Sequence, residues 1–273
     1  MQVMEKIDHR TSDKKLRLTI RISANHLSFA VGDPQQDEHI AYEQYELNNG
    51  ISIAANLREA FNRSELLQSG FRRTLILIDN PVMLVPTDEF QEQDVETLYK
   101  HTLKWRRSDD VVTSVLPDLN AVAVFTINKD LRLVVDDHFE DVRIQPMMQA
   151  VWSHLHHRAS AGSRRKMFVY YHEKQLEVFS FQQNRFRFSN SYEASSINDM
   201  LYFILYAWKE IGMNAESDEL HLAGNIPNGT QLNEEAHKFL QRCYLLDQEI
   251  DFNNNSFAKR KDIPYDLKAL YLS

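Results

Sequence analysis

The chain has 273 residues, 43% of them hydrophobic and 26% charged, a composition that excludes a disordered tail or a fibrous repeat and allows two compact domains. Its net charge of −8 repels phosphate backbones, so nucleic acid is a disfavoured partner. The single cysteine, Cys243, lies in the apolar run Cys243-Tyr244-Leu245-Leu246, cannot form an internal disulfide, and reads as a small buried hydrophobe in a reducing, cytoplasmic setting.

The first segment, Met1 to Lys15, is polar and has no signal-peptide core. Leu16 to Ile22 and Leu27 to Val31 alternate as two strands around a Ser-Ala-Asn turn, and His39 to Leu47 alternates again, which predicts a meander of three. Asn48-Asn49-Gly50 breaks it. Ile51 to Phe61 then places Ile53, Leu57, Ala60 and Phe61 at helical spacing behind Ser52 as N-cap, and Thr74 to Ile78 reads as a buried central strand. An inserted subdomain is expected over residues 81–119, with a strand at Val82 to Val85, a helix at Gln91 to Leu103 and a strand at Val111 to Leu116. The half closes with a strand at Ala121 to Ile127, a helix at Lys129 to His138, a short strand at Val142 to Ile144 and a helix at Pro146 to His157. Arg158 to Arg165 has linker chemistry.

From Lys166 the order β-β-β-α-β returns. Met167 to Tyr171, Leu176 to Phe181 and Phe186 to Ser189 form a second meander, Ser195 or Ser196 caps an apolar helix at Ile197 to Ile211, and Glu219 to Ala223 is the fourth strand. The longest apolar run, Met200 to Trp208, is nine residues, whereas a spanning helix needs about 20, so no transmembrane segment is expected. The two fourth strands end alike, as LILIDNP and LHLAGNIP, with Leu75 and Leu220 separated by 145 residues. That offset indicates a duplicated domain, with halves 1–158 and 159–273.

A duplicated β-β-β-α-β unit with an insertion in the first copy is similar to the actin-like ATPase superfamily, whose core is ribonuclease H-like. At family level the chain resembles an uncharacterised Bacteroidetes family, domain of unknown function family 3822, to which an actin-like fold is ascribed. Catalytic relatives carry an Asp-x-Gly-Thr/Ser-type turn between the first two strands of each half. There, glycine lets backbone amides close on the phosphates and the Asp organises the metal. The corresponding turns here are Ser23-Ala24-Asn25-His26 and His172-Glu173-Lys174-Gln175; neither has a glycine, and only the second has an acid. The superfamily's adenosine-contacting loop maps to Gly224-Asn225-Ile226-Pro227-Asn228-Gly229-Thr230, before a helix expected near Asn233. Gly224, Asn225, Gly229 and Thr230 are therefore the cofactor-binding candidates if a nucleotide binds. The loop also has the G-x-x-x-x-G-T spacing of a Walker loop but lacks its lysine, and Asn228-Gly229 reads equally as a plain turn.

Other candidates favour structural readings. His154, His156 and His157 near a helix end suit the macrodipole without a metal, and Asp136, Asp137, Glu140 and Asp141 suit a solvated helix end. Phe179, Phe181, Phe186 and Phe188 alternate with arginines as a core-facing stripe, and LYFILYAW (201–208) reads as a helix buried on all sides. A nuclease of the ribonuclease H type needs acids on the first and fourth strands, of which only Asp79 is present. Trp105, Arg106 and Arg107, at the end of the inserted helix, are the partner-binding candidates, with Trp105 alternatively sealing the subdomain's own core. The expectation is a duplicated actin-like α/β protein with a degenerate nucleotide site, no catalytic residue, no metal and no cofactor. It acts as a scaffold or adaptor for a protein partner, the alternative being an actin-like ATP-binding protein with an altered site.

Overall fold

Strand β1 (Leu18–Ile22) opens the described chain and is buried along its whole length, because Leu18, Ile20 and Ile22 face one side of the sheet while Thr19 and Arg21 face the other. The structure is a computed structural model that describes residues 17–32, 40–160 and 162–273. The polar N-terminus Met1 to Lys15, the Asp33-Pro34 turn and Ala161 of the linker lie outside the described residues. β2 (His26–Val31) and β3 (Ala41–Glu46) complete the antiparallel meander. Helix α1 (Ile53–Phe61) starts where Ser52 Oγ accepts from the Ala55 amide. Its entry is fixed by the buried Asn56, whose side chain accepts from Asn48 N at 2.7 Å and donates to Asn48 O at 3.1 Å. A one-turn helix α2 (Glu65–Gln68) leads to β4 (Arg73–Ile78), which pairs parallel with β1, Leu18 beside Thr74.

The insertion follows as β5 (Met83–Pro86), α3 (Glu92–Thr102), β6 (Asp109–Leu116) and β7 (Ala121–Asn128), a three-stranded sheet ordered β5-β7-β6. Val95 and Tyr99 of α3 pack on Val124 in its small core. Helix α4 (Lys129–His138), capped by Asn128, returns the chain to β8 (Asp141–Pro146), and the first sheet runs β3-β2-β1-β4-β8.

After α5 (Met148–Ala159), strands β9 (Lys166–His172), β10 (Gln175–Gln182) and β11 (Arg185–Glu193) form the second meander. The crossover helix α6 (Ile197–Glu210) brings in β12 (Glu219–Gly224), parallel to β9, and α7 (Gly229–His237) brings in β13 (Cys243–Leu245), parallel to β12. The resulting order, β11-β10-β9-β12-β13, repeats that of the first sheet strand for strand, as the 145-residue offset predicts. Short helices α8 (Gln248–Asp251) and α9 (Ser256–Lys259) precede α10 (Tyr265–Leu272).

Two expectations are corrected here. Helix α6 is amphipathic: Met200, Ile204, Ala207 and Trp208 are buried, whereas Tyr202 is 64% exposed and Tyr206 47%. Tyrosine is apolar enough to hide a helical period that the backbone nonetheless has. The four phenylalanines do not share a face. The register of β10 and β11 shifts between Ser180 and Phe181, so Phe188 lies opposite Ser180 while Phe186 lies opposite Phe181. This bulge sends Phe188 to the core under α6 and leaves Phe186 edge-on against Trp152 of α5.

The chain forms two compact units. One gathers the described residues of Met1–Asp79, Arg106–Asp110 and Ile127–Gln145; the other gathers Asn80–Trp105, Val111–Thr126 and Pro146–Ser273. Within the second, the insertion is tied to the β10–β11 turn by Asn120 Nδ2 donating to Asn184 O at 3.0 Å and by Arg185 paired with Asp88 at 3.1 Å.

The face of the second sheet opposite α6 is closed by α5 and α10, and the contact is polar at its centre. Asp251, its side chain 1% exposed, accepts from His154 Nε2 at 3.1 Å, from Tyr265 Oη at 2.6 Å and from Arg158. Burial opposes ionisation of Asp251, yet the hydrogen bonds from His154 and Tyr265 and the charge of Arg158 outweigh it and hold the carboxyl below its ordinary value. A depressed folded pKa stabilises the fold above the unfolded value, and that contribution is lost as pH falls through the folded pKa. Asp251→Ala is expected to cost about 3 kcal/mol at neutral pH, because it leaves the buried Tyr265 hydroxyl and the mostly buried His154 ring without their acceptor, while the half-exposed Arg158 turns to solvent. In urea melts of both proteins, the deficit should shrink as pH drops below about 4. A deficit that stays constant with pH would refute the ionised hub.

Candidate functional site

The hairpin turn between β1 and β2 closes on itself. Ser23 N donates to His26 O at 3.1 Å, while Ser23 Oγ accepts from His26 N at 3.2 Å and donates to His26 O at 3.1 Å. Two amides that a bound anion would need are thus already occupied, and Ser23 is buried. The turn between β9 and β10 is the two-residue kind, with His172 opposite Gln175. Glu173 and Lys174 both have positive φ, 42° and 70°, as a type I′ turn requires, and Ala194 N caps Lys174 O at 2.9 Å. Two side chains project from backbone that glycine favours.

The ends of β9 and β12 lie side by side, Tyr171 next to Gly224. Gly224 has φ +90°, and a Cβ on it would stand 2.4 Å from Tyr171 O and 2.9 Å from the Tyr170 ring. Beyond it Asn225 accepts from Gln248 Nε2 at 3.0 Å, and Gly229 N donates to Ile226 O at 3.1 Å. Asn228 adopts a left-handed conformation, and Leu232 N donates to its carbonyl at 3.1 Å. Helix α7 therefore starts at Gly229, not near Asn233: the Asn228-Gly229 turn leads directly into the helix.

A pocket of about 460 Å³ lies between the starts of α6 and α7, lined among others by Ser195, Ser196, Asn198, Asn228, Gln231 and Glu235. None of Gly224, Asn225, Gly229 and Thr230 lines this pocket; from their loop it is Pro227, Asn228 and Gln231 that do. Its α6 wall is a capping box: Ser196 Oγ accepts from Asp199 N at 3.1 Å, and Asp199 accepts from Ser196 N at 3.0 Å and Ser195 N at 3.3 Å. The Ser196 hydrogen bond holds the Asp199 carboxyl below its ordinary value. The lining carries amides, hydroxyls and one carboxylate, Glu235, and no cation. Such a lining suits a small neutral polar group better than a phosphate. Ser195 or Ser196 marked a helix start in the sequence; nothing there paired it with a loop some 30 residues on.

Other candidates are held in structural roles. His154 bonds Asp251, His156 Nε2 lies 3.3 Å from Gln183 O, and His157 is exposed. Asp141 pairs with Arg73 at 2.9 Å, Glu140 with Arg72 at 3.9 Å and Asp136 with Arg132 at 3.6 Å. Among the described residues no group of three or more His, Cys, Asp or Glu is placed to hold a metal, and no helix is long and apolar enough to cross a membrane. Trp105 is half-buried against the core of Val95, Tyr99 and Val124, with the Lys100 ammonium 4.4 Å from its ring centroid. Arg106 and Arg107 are exposed.

A family profile described as protein of unknown function DUF3822 matches residues 6–243, and the chain belongs to that family. Among solved structures, a Bacteroides thetaiotaomicron protein with an actin-like ATPase fold and unknown function is similar at 24% identity over 98% of this chain and all of the other, with a TM-score of 0.84. A PilM–PilN type IV pilus biogenesis complex matches at 12% identity over 94% of this chain and 97% of the other, with a TM-score of 0.57. These likenesses show the actin-like fold. A search of curated proteins gives no significant match.

Gly224→Ala should destabilise the chain by at least about 2 kcal/mol, since the Cβ meets backbone oxygen and the conformation is left-handed. Gly70→Ala, with φ +78° but nothing within 4 Å of the added carbon, isolates the backbone part of that cost. Equal urea midpoints for the two variants would refute the steric part.

Proposed function

We propose that this chain is a non-catalytic actin-like scaffold or adaptor that binds a protein partner, built from two halves, 1–158 and 159–273. The observation that carries the reading is the pair of hairpin turns. Phosphoryl transfer depends on positioned amides and a metal-organising acid. Here Ser23 and His26 use their amides internally, and Glu173 and Lys174 fill a minimal two-residue loop. The cation-free pocket at Asn198 and Gln231 points the same way. A fold relative that is seen in a complex, PilM with PilN, supports an assembly role for this architecture. Partner contact is assigned to the inserted subdomain, 81–119, through the exposed Arg106 and Arg107 beside Trp105.

The second reading, an ATP-binding protein with an altered site, rests on the loop of Gly224, Asn225, Gly229 and Thr230 and on the pocket that Pro227, Asn228 and Gln231 of the same stretch line. Calorimetry with magnesium ATP decides between the two. We expect no submillimolar binding and no hydrolysis above background. Submillimolar binding that is lost in Asn198→Trp, which fills the pocket from an exposed helix start, would establish the second reading.

Arg106→Ala/Arg107→Ala should leave the melting temperature unchanged and weaken capture of the native partner from its own cells. Trp105→Ala should lower stability by about 2 kcal/mol through lost packing. A double arginine variant that captures its partner normally would refute the assignment to this segment.

A further inference from the structure

The first unit carries a cluster of arginines at the start of its parallel strands. Arg17 immediately precedes β1 and Arg73 begins β4; since Leu18 pairs with Thr74, the two arginines are lateral neighbours on one side of the sheet, about 5 Å apart along the backbone. β8 begins beside them, with Asp141 N donating to Arg72 O at 3.0 Å, and Arg143 shares the strand face of Asp141. Four guanidiniums, from Arg17, Arg72, Arg73 and Arg143, are thereby gathered around two carboxylates. Asp141 accepts from Arg73 Nε at 2.9 Å, and Glu140 lies 3.9 Å from Arg72.

The cluster carries excess positive charge on a chain whose net charge is −8. Partial burial, followed by the like charges of Arg143 and Arg73, pulls the pKa of Arg17 below its ordinary value, so these guanidiniums crowd one another. Asp141 is held low first by its bond to Arg73, with the charges of Arg17 and Arg143 adding to it. One carboxylate already sits among three guanidiniums. Arg72, Arg73, Glu140 and Asp141 each keep roughly half or more of their side chains exposed, so the row is open to a ligand.

We infer that this row, Arg17, Arg73 and Arg143 with Arg72 at its edge, is a docking surface for an acidic segment of a protein partner. Guanidinium forks match carboxylates in bidentate geometry, and Asp141 is the internal template for the groups that would join it. Neighbouring strands spaced about 4.8 Å apart set the guanidiniums at intervals that an extended chain rich in Asp or Glu can follow. The inference rests on the protein-binding reading for its biology and on the cluster alone for its chemistry.

A fluorescent hexaglutamate peptide titrated into the full chain tests it by anisotropy. Saturable binding is expected, weakened about tenfold or more in Arg17→Ala/Arg143→Ala and weakened further as salt screens the contact. Arg143→Glu, a reversal at an exposed position, should abolish binding without changing the thermal midpoint, which separates lost docking from lost folding. Unchanged affinity in both variants, or no saturable binding by the wild type, would overturn the proposal. Inorganic tripolyphosphate binding more tightly than the peptide, with the same dependence on Arg17 and Arg143, would overturn it in favour of a phosphate site. Neither result bears on the protein-binding reading, which only the magnesium ATP titration and partner capture can sink.

Discussion

Each half of the molecule depends on one pairing: the fourth strand laid parallel onto the first. A parallel pair cannot be closed by a hairpin and requires a crossover, which α1 with α2 supplies in one half and α6 in the other. Everything placed at the strand ends inherits that constraint. Because β12 lies in register with β9, Gly224 arrives against the Tyr171 carbonyl, and no side chain can stand there. The loop that leaves Gly224 is then directed back over the start of α6, which is where the pocket forms.

The same geometry separates what the fold needs from what chemistry at the strand ends needs. The meanders need only hairpins that reverse the chain, and Ser23 to His26 and His172 to Gln175 do this with side chains of ordinary size. Positive φ at Glu173 and Lys174 carries a conformational cost, offset by the long ladders of β9 and β10 on which the turn is mounted. A fold can therefore persist while the residues at its turns drift.

Much of the architecture was legible in the sequence because both sheets are built from strongly patterned segments. TLILI at residues 74–78 has the continuous apolar run of a strand buried on both faces, and Ser52 and Ser196 announce their helices. What escaped did so for identifiable reasons. The bulge at Ser180 and Phe181 changes register without any glycine to mark it, so alternation misassigned Phe188. Helix α10 buries Asp266 and Lys268, which carry the pattern of a solvated segment; their burial depends on Tyr170 and Gln248, distant in sequence. The pocket joins two helix starts from separate elements, a proximity that only the parallel register creates.

Cys243 sits at the head of β13, 5% exposed, with its thiol against Leu240 O at 3.6 Å and pushed up to about 11 by burial. It is the chain's only thiol, and as a protonated, enclosed sulfur it is chemically silent while β13 stays seated on β12. Alkylation of the intact protein therefore counts departures of this last strand from the sheet. The molecule thus carries its own clock for local opening, readable by mass without any introduced label.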